Sequence, residues 1–274
     1  MLNNDKPYVV MGLLDYESIA YAVGERIAAL GGRVIYTALN ERVSRLFLER
    51  SARAAARARE DLDIRYCDVT VDAEIEALFA SVGPVAGVVH SIAYANPKTC
   101  LGEEFHTEAV DDILQSYRIS AVSFAQVLRH AAPRMPAGGA AVALTFDTSR
   151  IYPYYNWMGV HKAALEAATR ALARRHGRDL VRVNAVSAGP LASMAASKIP
   201  GFGKLDKIWG AASPLPWNTV EDKASVADAV AFLLGPMARK ITGQVLVVDG
   251  GASIVAGELQ PFELPPERKA PAPE

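Results

Sequence analysis

Seven short apolar runs alternate with helical patterns along almost all of this 274-residue chain, and that alternation constrains its fold more than any other feature. Strands are predicted at Tyr8–Met11, Arg33–Thr37, Ile64–Asp68, Gly87–Ile92, Ala140–Thr145, Arg182–Ser187 and Gln244–Asp249. Between them, apolar residues recur at helical spacing over Ser18–Leu30, Asn40–Arg59, Asp72–Val82, Thr107–Arg134, Tyr155–Arg175 and Ser225–Leu234. Runs such as Val245-Leu246-Val247-Val248 have no polar face, so they call for burial on both sides, as in a parallel sheet covered by helices. Strict β-α order then predicts an α/β fold over residues 1–257, a doubly wound parallel sheet of the Rossmann-like kind in a single domain. Ligands of such sheets sit beyond the carboxyl ends of the strands, where the strand order reverses.

Two segments depart from the alternation. From Gly189 to Thr219 no strand signal occurs, but four prolines and large apolar residues such as Met194, Phe202 and Trp209 do. A connection this long inside a compact domain is usually functional, and we read it as a substrate lid over about residues 191–209; the competing reading is an irregular surface excursion. Residues 258–274 carry five prolines and several charges, the composition of an extended or disordered tail.

Composition narrows the partners. A formal net charge of -1 gives no support to nucleic acid or an anionic membrane surface. Cys67 and Cys100 are the only cysteines, which fits a reducing compartment and no disulfide framework. Residues 1–6 are polar where a signal peptide would be apolar, and no run is long enough to span a bilayer. A soluble, cytoplasmic protein is expected, with no metal site.

The candidate site residues fall at predicted strand ends. Gly12 opens the first strand-to-helix turn, where a glycine lets backbone approach a phosphate, and Ser18 with Ile19 begins the helix whose positive end faces it. Taken alone this is equally a plain βα turn with a Ser cap, since the G-x-G-x-x-G fingerprint is absent. At the end of strand two, Leu39 and Asn40 offer neither an acid for ribose hydroxyls nor a base for an extra phosphate, and Arg42 falls inside the next helix, so NADH is favoured over NADPH. Asp68, with Val69, either bonds an adenine amine or caps the following helix. Ser91, Ile92 and Ala93 can line the central ribose and phosphates. His90 and Cys67 read as core residues. Tyr155 and Lys162, seven steps apart, would return to one helical face about 10 Å along the axis, a phenol and an ammonium flanking a flat ligand.

Taken together, Gly12-x5-Ser18-Ile19-Ala20, His90-Ser91-Ile92-Ala93, Tyr155-Asn156-x-Met158-x3-Lys162, Ser187-Ala188-Gly189-Pro190 and Ile241-Thr242-Gly243 through Asp249-Gly250-Gly251 resemble the enoyl-[acyl-carrier-protein] reductases. These form a divergent branch of the short-chain dehydrogenases/reductases. The resemblance covers about residues 6–257, in order. It implies hydride transfer from NADH to the β-carbon of a trans-2-enoyl thioester in fatty-acid elongation, an acyl-carrier-protein partner and a homotetramer. Tyr155 would bond the thioester oxygen and Lys162 the nicotinamide ribose. Ala95, Phe146 and Met158 would contact the substrate, although helix packing competes closely for Met158. Leu191 would back the nicotinamide and Ser193 would bond the pyrophosphate.

Spacing separates this branch from the carbonyl-reducing one, whose Tyr stands four residues before the Lys and thirteen after a Ser. Met158 occupies the first of those positions, and thirteen residues before Tyr155 stands Val142. Two departures from the resemblance remain. Thr145-Phe146 replaces a second tyrosine, as in mycobacterial members, and Ala192 replaces a basic residue, which implies weaker cofactor binding. Two other readings stand beside this one, a related enoyl-thioester reductase of a specialised pathway and a non-catalytic dinucleotide sensor. Intact Tyr155 and Lys162 weigh against the sensor.

Overall fold

The computed structural model describes residue 2 and residues 5–50, 62–152 and 154–255. The second half of the predicted helix Asn40–Arg59 and the predicted tail 258–274 lie outside the described residues. Seven strands are present, β1 (Tyr8–Met11), β2 (Val34–Ala38), β3 (Ile64–Tyr66), β4 (Gly87–His90), β5 (Gly139–Thr145), β6 (Val181–Ala188) and β7 (Val245–Val248). They form one parallel sheet in the order β3-β2-β1-β4-β5-β6-β7. Met11 lies opposite His90 and Tyr8 opposite Gly87, so β1 and β4 end level. The connections leave these two strands in opposite directions, and a crevice opens at their carboxyl ends.

The continuous apolar runs follow from this burial. Along β1 and β4, neighbouring residues point to opposite faces of the sheet. Val10 and Val89 enter one core with Val23 and Ile27 of α1 (Ile19–Ala29) and Val226 and Val230 of α8 (Lys223–Leu234). Val9 and Val88 enter the other, with Phe79 of α3 (Asp72–Val82), Phe124 and Leu128 of α5 (Ser123–Ala131) and Leu165 of α6 (Asn156–His176). Helix α2 (Glu41–Arg50) follows β2, α4 (Val110–Tyr117) precedes α5, and α7 (Phe202–Ala212) lies between β6 and α8.

Two expectations are corrected. β7 is outermost in the sheet, and among the described residues its apolar run is only partly covered: Val245 packs against one core and Leu246 and Val248 against the other, while Val247 is 48% exposed. The predicted helix Thr107–Arg134 begins at Val110 and passes through a π-helical turn at Arg118–Val122. There Ser120 Oγ donates to Tyr94 O at 3.0 Å and accepts from Tyr94 N–H at 3.0 Å, tying the helix to the segment after β4. The strandless segment from 189 to 219 contains helix α7, whose one buried residue is Trp209.

Candidate active site

Gly12 follows β1 with φ at +98°, a conformation that side chains disfavour. A Cβ there would lie 2.2 Å from Ser91 O, so the turn after β1 and the end of β4 approach as only glycine allows. Gly12 and Leu13 N–H groups both donate to Thr37 O, which ties the turn to β2 as well. Ser18 is the N-cap of α1: its Oγ accepts from Tyr21 N–H at 3.3 Å and donates to Asp15 O at 2.7 Å. Both readings of this turn, helix cap and anion cradle, are compatible with one geometry, because capping leaves the earlier N–H groups of the helix facing the crevice.

The other strand ends gather on the same edge. Leu39 is half-exposed after β2, and Asn40 Oδ1 caps α2 by accepting from Val43 N–H at 2.8 Å. Arg42 stands exposed on the first turn of α2. After β3, Asp68 Oδ1 accepts from Thr70 N–H and Thr70 Oγ1, both at 2.8 Å, while the N-cap of α3 is Val71. Asp68 therefore shapes the turn and does not cap the helix. Val69 beside it is buried. Ser91 N–H makes the final bond of β4, to Met11 O at 3.1 Å; Ile92, Ala93 and Ala95 then continue over the crevice edge.

His90 is fully buried at the end of β4. Ser123 Oγ donates to Ile119 O, so it accepts from His90 Nε2–H at 2.7 Å, and His90 Nδ1 is left without a partner. Burial, with the Lys162 charge adding to it, pulls the imidazole down to about 3. This is a neutral core histidine, one nitrogen satisfied and one not.

Tyr155 and Lys162 meet at the end of β5. Tyr155 is the N-cap of α6 and not its first helical residue; its φ is -113° and its carbonyl accepts the opening bond, from Gly159 N–H at 2.8 Å. The seven-residue helical stripe expected from spacing therefore starts one residue late. Tyr154 before it takes φ +70°, which turns the chain sharply into the helix. The Tyr155 ring stands 5.0 Å from the Phe146 ring, edge to face, and burial pushes its phenol above the ordinary value. Lys162 is 5% exposed, and its Nζ donates to Leu144 O at 2.8 Å. Burial pulls its ammonium down to about 8, and the Glu166 carboxylate acts the other way. Leu144 and Phe146 flank Thr145, so phenol and ammonium engage one strand end from one helix start. Met158, 3% exposed, turns its sulfur towards Ser116 Oγ at 3.5 Å, the contact that helix packing requires.

Tyr152 and Glu166 were not singled out from sequence, and Trp209 was named there only as a large apolar residue at the end of the lid. Tyr152 and Trp209 complete an aromatic cluster with Phe146 and Tyr155; each lies 5.6 Å from the other, and Trp209 is 5.6 Å from Phe146. Trp209 Nε1–H donates to Asp249 O at 2.9 Å, which fixes α7 to the end of β7. Thr145 and Thr148 donate to Glu166, which is buried. Glu166 was legible in principle, because it stands one turn beyond Lys162. After β6, Leu191 is buried and Ser193 Oγ accepts from Ala196 N–H at 3.1 Å. Among the described residues no cluster of three or more His, Cys, Asp or Glu could hold a metal, and no helix is long and apolar enough to cross a membrane.

The profile of the enoyl-(acyl carrier protein) reductases matches residues 12–253. The chain belongs to this family. It is 39% identical over 255 residues to the NADH-dependent enoyl-[acyl-carrier-protein] reductase FabI of Bacillus subtilis, a match covering 90% of this chain and 96% of that one. The NADPH-dependent FabI of Staphylococcus aureus is 35% identical over 92% of this chain and 98% of its own. The crystal structure of the Bacillus cereus enoyl-acyl carrier protein reductase with NADP+ and an indole naphthyridinone superposes with a TM-score of 0.83. That match is at 34% identity and covers 93% of this chain and 98% of that one. Family membership is thus common to relatives that differ in cofactor.

Proposed function

We propose that this enzyme reduces the carbon–carbon double bond of trans-2-enoyl-[acyl-carrier-protein] with NADH in fatty-acid elongation. The observation that carries the reading is the convergence of Tyr155 and Lys162 on the end of β5, beside the switch point between β1 and β4. The residues present fit a dinucleotide, because the Gly12 turn brings the ends of β1 and β4 together beside the Ser18-capped N-terminus of α1, where backbone N–H groups can receive phosphate. Gly12, Ser18, Ile19, Ser91, Ile92, Ala93 and Ser193 would hold the phosphates and central ribose, Leu39, Asp68 and Val69 the adenosine end, and Leu191 and Lys162 the nicotinamide end. Bound NADH supplies hydride for the β-carbon.

The chain's own residues do the rest. Lys162 spends one N–H on Leu144 O, which fixes the ammonium and leaves two donors for ribose hydroxyls. Burial keeps the Tyr155 phenol protonated at neutral pH, so it donates to the thioester oxygen and stabilises charge as the enolate develops. Phe146 holds the phenol ring from its edge, and Ala95 and Met158 complete the acyl contact. A carbonyl reductase would need a hydroxyl where Val142 is fully buried in β5, and the hydroxyl of Thr145 is committed to Glu166 at 3.1 Å. The lid would be residues 191–209, swinging on the Trp209 anchor. Exposed Val247 on the outer strand supports a homo-oligomer, a tetramer if this chain assembles as the family resemblance implies, and the enzyme would work in the cytoplasm. Residues 258–274 would remain an extended tail.

The test is NADH oxidation with crotonyl and acetoacetyl thioesters side by side, then with NADPH. Turnover of the enoyl thioester alone, faster with NADH, is expected. Tyr155→Phe should lower kcat about 10²–10³-fold with little change in KM, as for loss of one oxyanion donor. Activity confined to the ketone would overturn the assignment.

A further inference from the structure

Glu166 is a buried carboxylate that none of the proposed chemistry uses. It stands one helical turn beyond Lys162 on α6, and the two residues, 9% and 5% exposed, grip the same piece of chain. Lys162 Nζ holds Leu144 O at 2.8 Å. Glu166 Oε1 accepts from Thr145 Oγ1 at 3.1 Å and Oε2 from Thr148 Oγ1 at 2.8 Å. Between those threonines lies Phe146, whose ring meets Tyr155. A neutral amide could tie down two hydroxyls at lower desolvation cost, so a buried charge needs another reason.

The other groups around Lys162 supply none of the required counter-charge. His90 on β4 and His161 on α6 are both buried, and burial holds their imidazoles neutral, at about 3 and about 4. The Tyr155 phenol is kept protonated by burial. Glu166 is the anion whose field reaches the ammonium, and it opposes the downward pull of burial.

We propose that Glu166 is a positioning residue for Lys162, its carboxylate anchoring the Thr145–Thr148 loop and supplying the negative charge against which the buried ammonium is held. The inference rests on the reading of Lys162 as the ribose donor. It assigns two separable duties to one side chain: the charge acts on Lys162, and the two hydrogen bonds act on the loop that backs Phe146.

The test is NADH affinity by fluorescence titration from about pH 6 to pH 9.5, together with kcat and KM for an enoyl thioester. Wild-type affinity should fall as pH rises through about 8, where Lys162 loses its proton. In Glu166→Gln that fall should move at least about one pH unit lower, with affinity near pH 6 within about threefold of wild type. Glu166→Asp, which restores the charge, should return the fall to the wild-type position. Thr148→Val should leave it there and change kcat or KM for the thioester instead. If Glu166→Gln folds and keeps the wild-type profile, or if Glu166→Asp shifts it as far as Gln does, the charge has no role and the inference fails. Unchanged NADH affinity in Lys162→Met would instead overturn the underlying reading of Lys162.

Discussion

Replacing Gly12 by alanine tests the crevice at its narrowest point. The added Cβ would lie 2.2 Å from Ser91 O, 2.8 Å from Ser91 C and 3.2 Å from Ile92 Cγ1, where ordinary contact begins at 3.4 Å. Two of those atoms are backbone, so no side-chain rotation relieves the clash and the end of β4 must retreat by about an ångström. The φ of +98° adds about 1–2 kcal/mol of strain for any residue with a Cβ. With a comparable cost for the displaced packing, the loss of stability should be about 3 kcal/mol. For a chain of 274 residues that corresponds to a fall in Tm of about 5 °C. The atoms that move belong to Ser91 and Ile92, so NADH affinity should fall at least about tenfold beyond the stability effect. Gly177→Ala is the control. That glycine sits exposed at the far end of α6 with φ -59° and nothing near its Cβ position, so alanine should be neutral or stabilise by about 0.4–1 kcal/mol. Thermal melts and NADH titrations of the two variants decide the matter. If Gly12→Ala keeps both wild-type Tm and wild-type affinity, the close approach of β1 to β4 is not what builds the site.

Two further outcomes are expected. Arg182 donates to Leu233 O at 2.6 Å, Gly235 O at 3.1 Å and Leu234 O at 3.2 Å, closing the C-terminus of α8, so Arg182→Met should cost about 3 kcal/mol in denaturant titration and spare kcat; wild-type stability would show that water replaces the guanidinium there. His90 and His161 are held at about 3 and about 4, below their unfolded value, so the unfolded chain binds the extra protons and stability falls as pH drops below about 6.5. By pH 5 the loss should be on the order of 2 kcal/mol for each, and His161→Gln should flatten the acid limb of a Tm-against-pH curve; an unchanged limb would mean that the His161 imidazole does not resist protonation.

Local patterns carried the architecture in the sequence. Alternating apolar runs and helical periods depend on neighbours a few residues apart, and they yielded all seven strands with no end displaced by more than two residues. Turn chemistry likewise placed Gly12 and Ser18 at the mouth of the sheet, and motif order led to the enoyl reductase family. Other features required the fold. Val245–Val248 reads as doubly buried because hydrophobicity states what a strand seeks, whereas strand order decides that β7 is outermost and Val247 exposed. Helix α7 was missed because its single buried residue, Trp209, gives no periodic stripe; what fixes it is a bond to Asp249, 40 residues away. Tyr155 left its expected helical position because the chain must turn at Tyr154 to bring the phenol over Phe146. Glu166 acquired meaning only when Thr145 and Thr148, 21 and 18 residues distant, were brought to its two oxygens. Sequence fixes what each residue can do over one turn of helix or one strand, and the long-range packing of β5 against α6 selects which of those capacities meet.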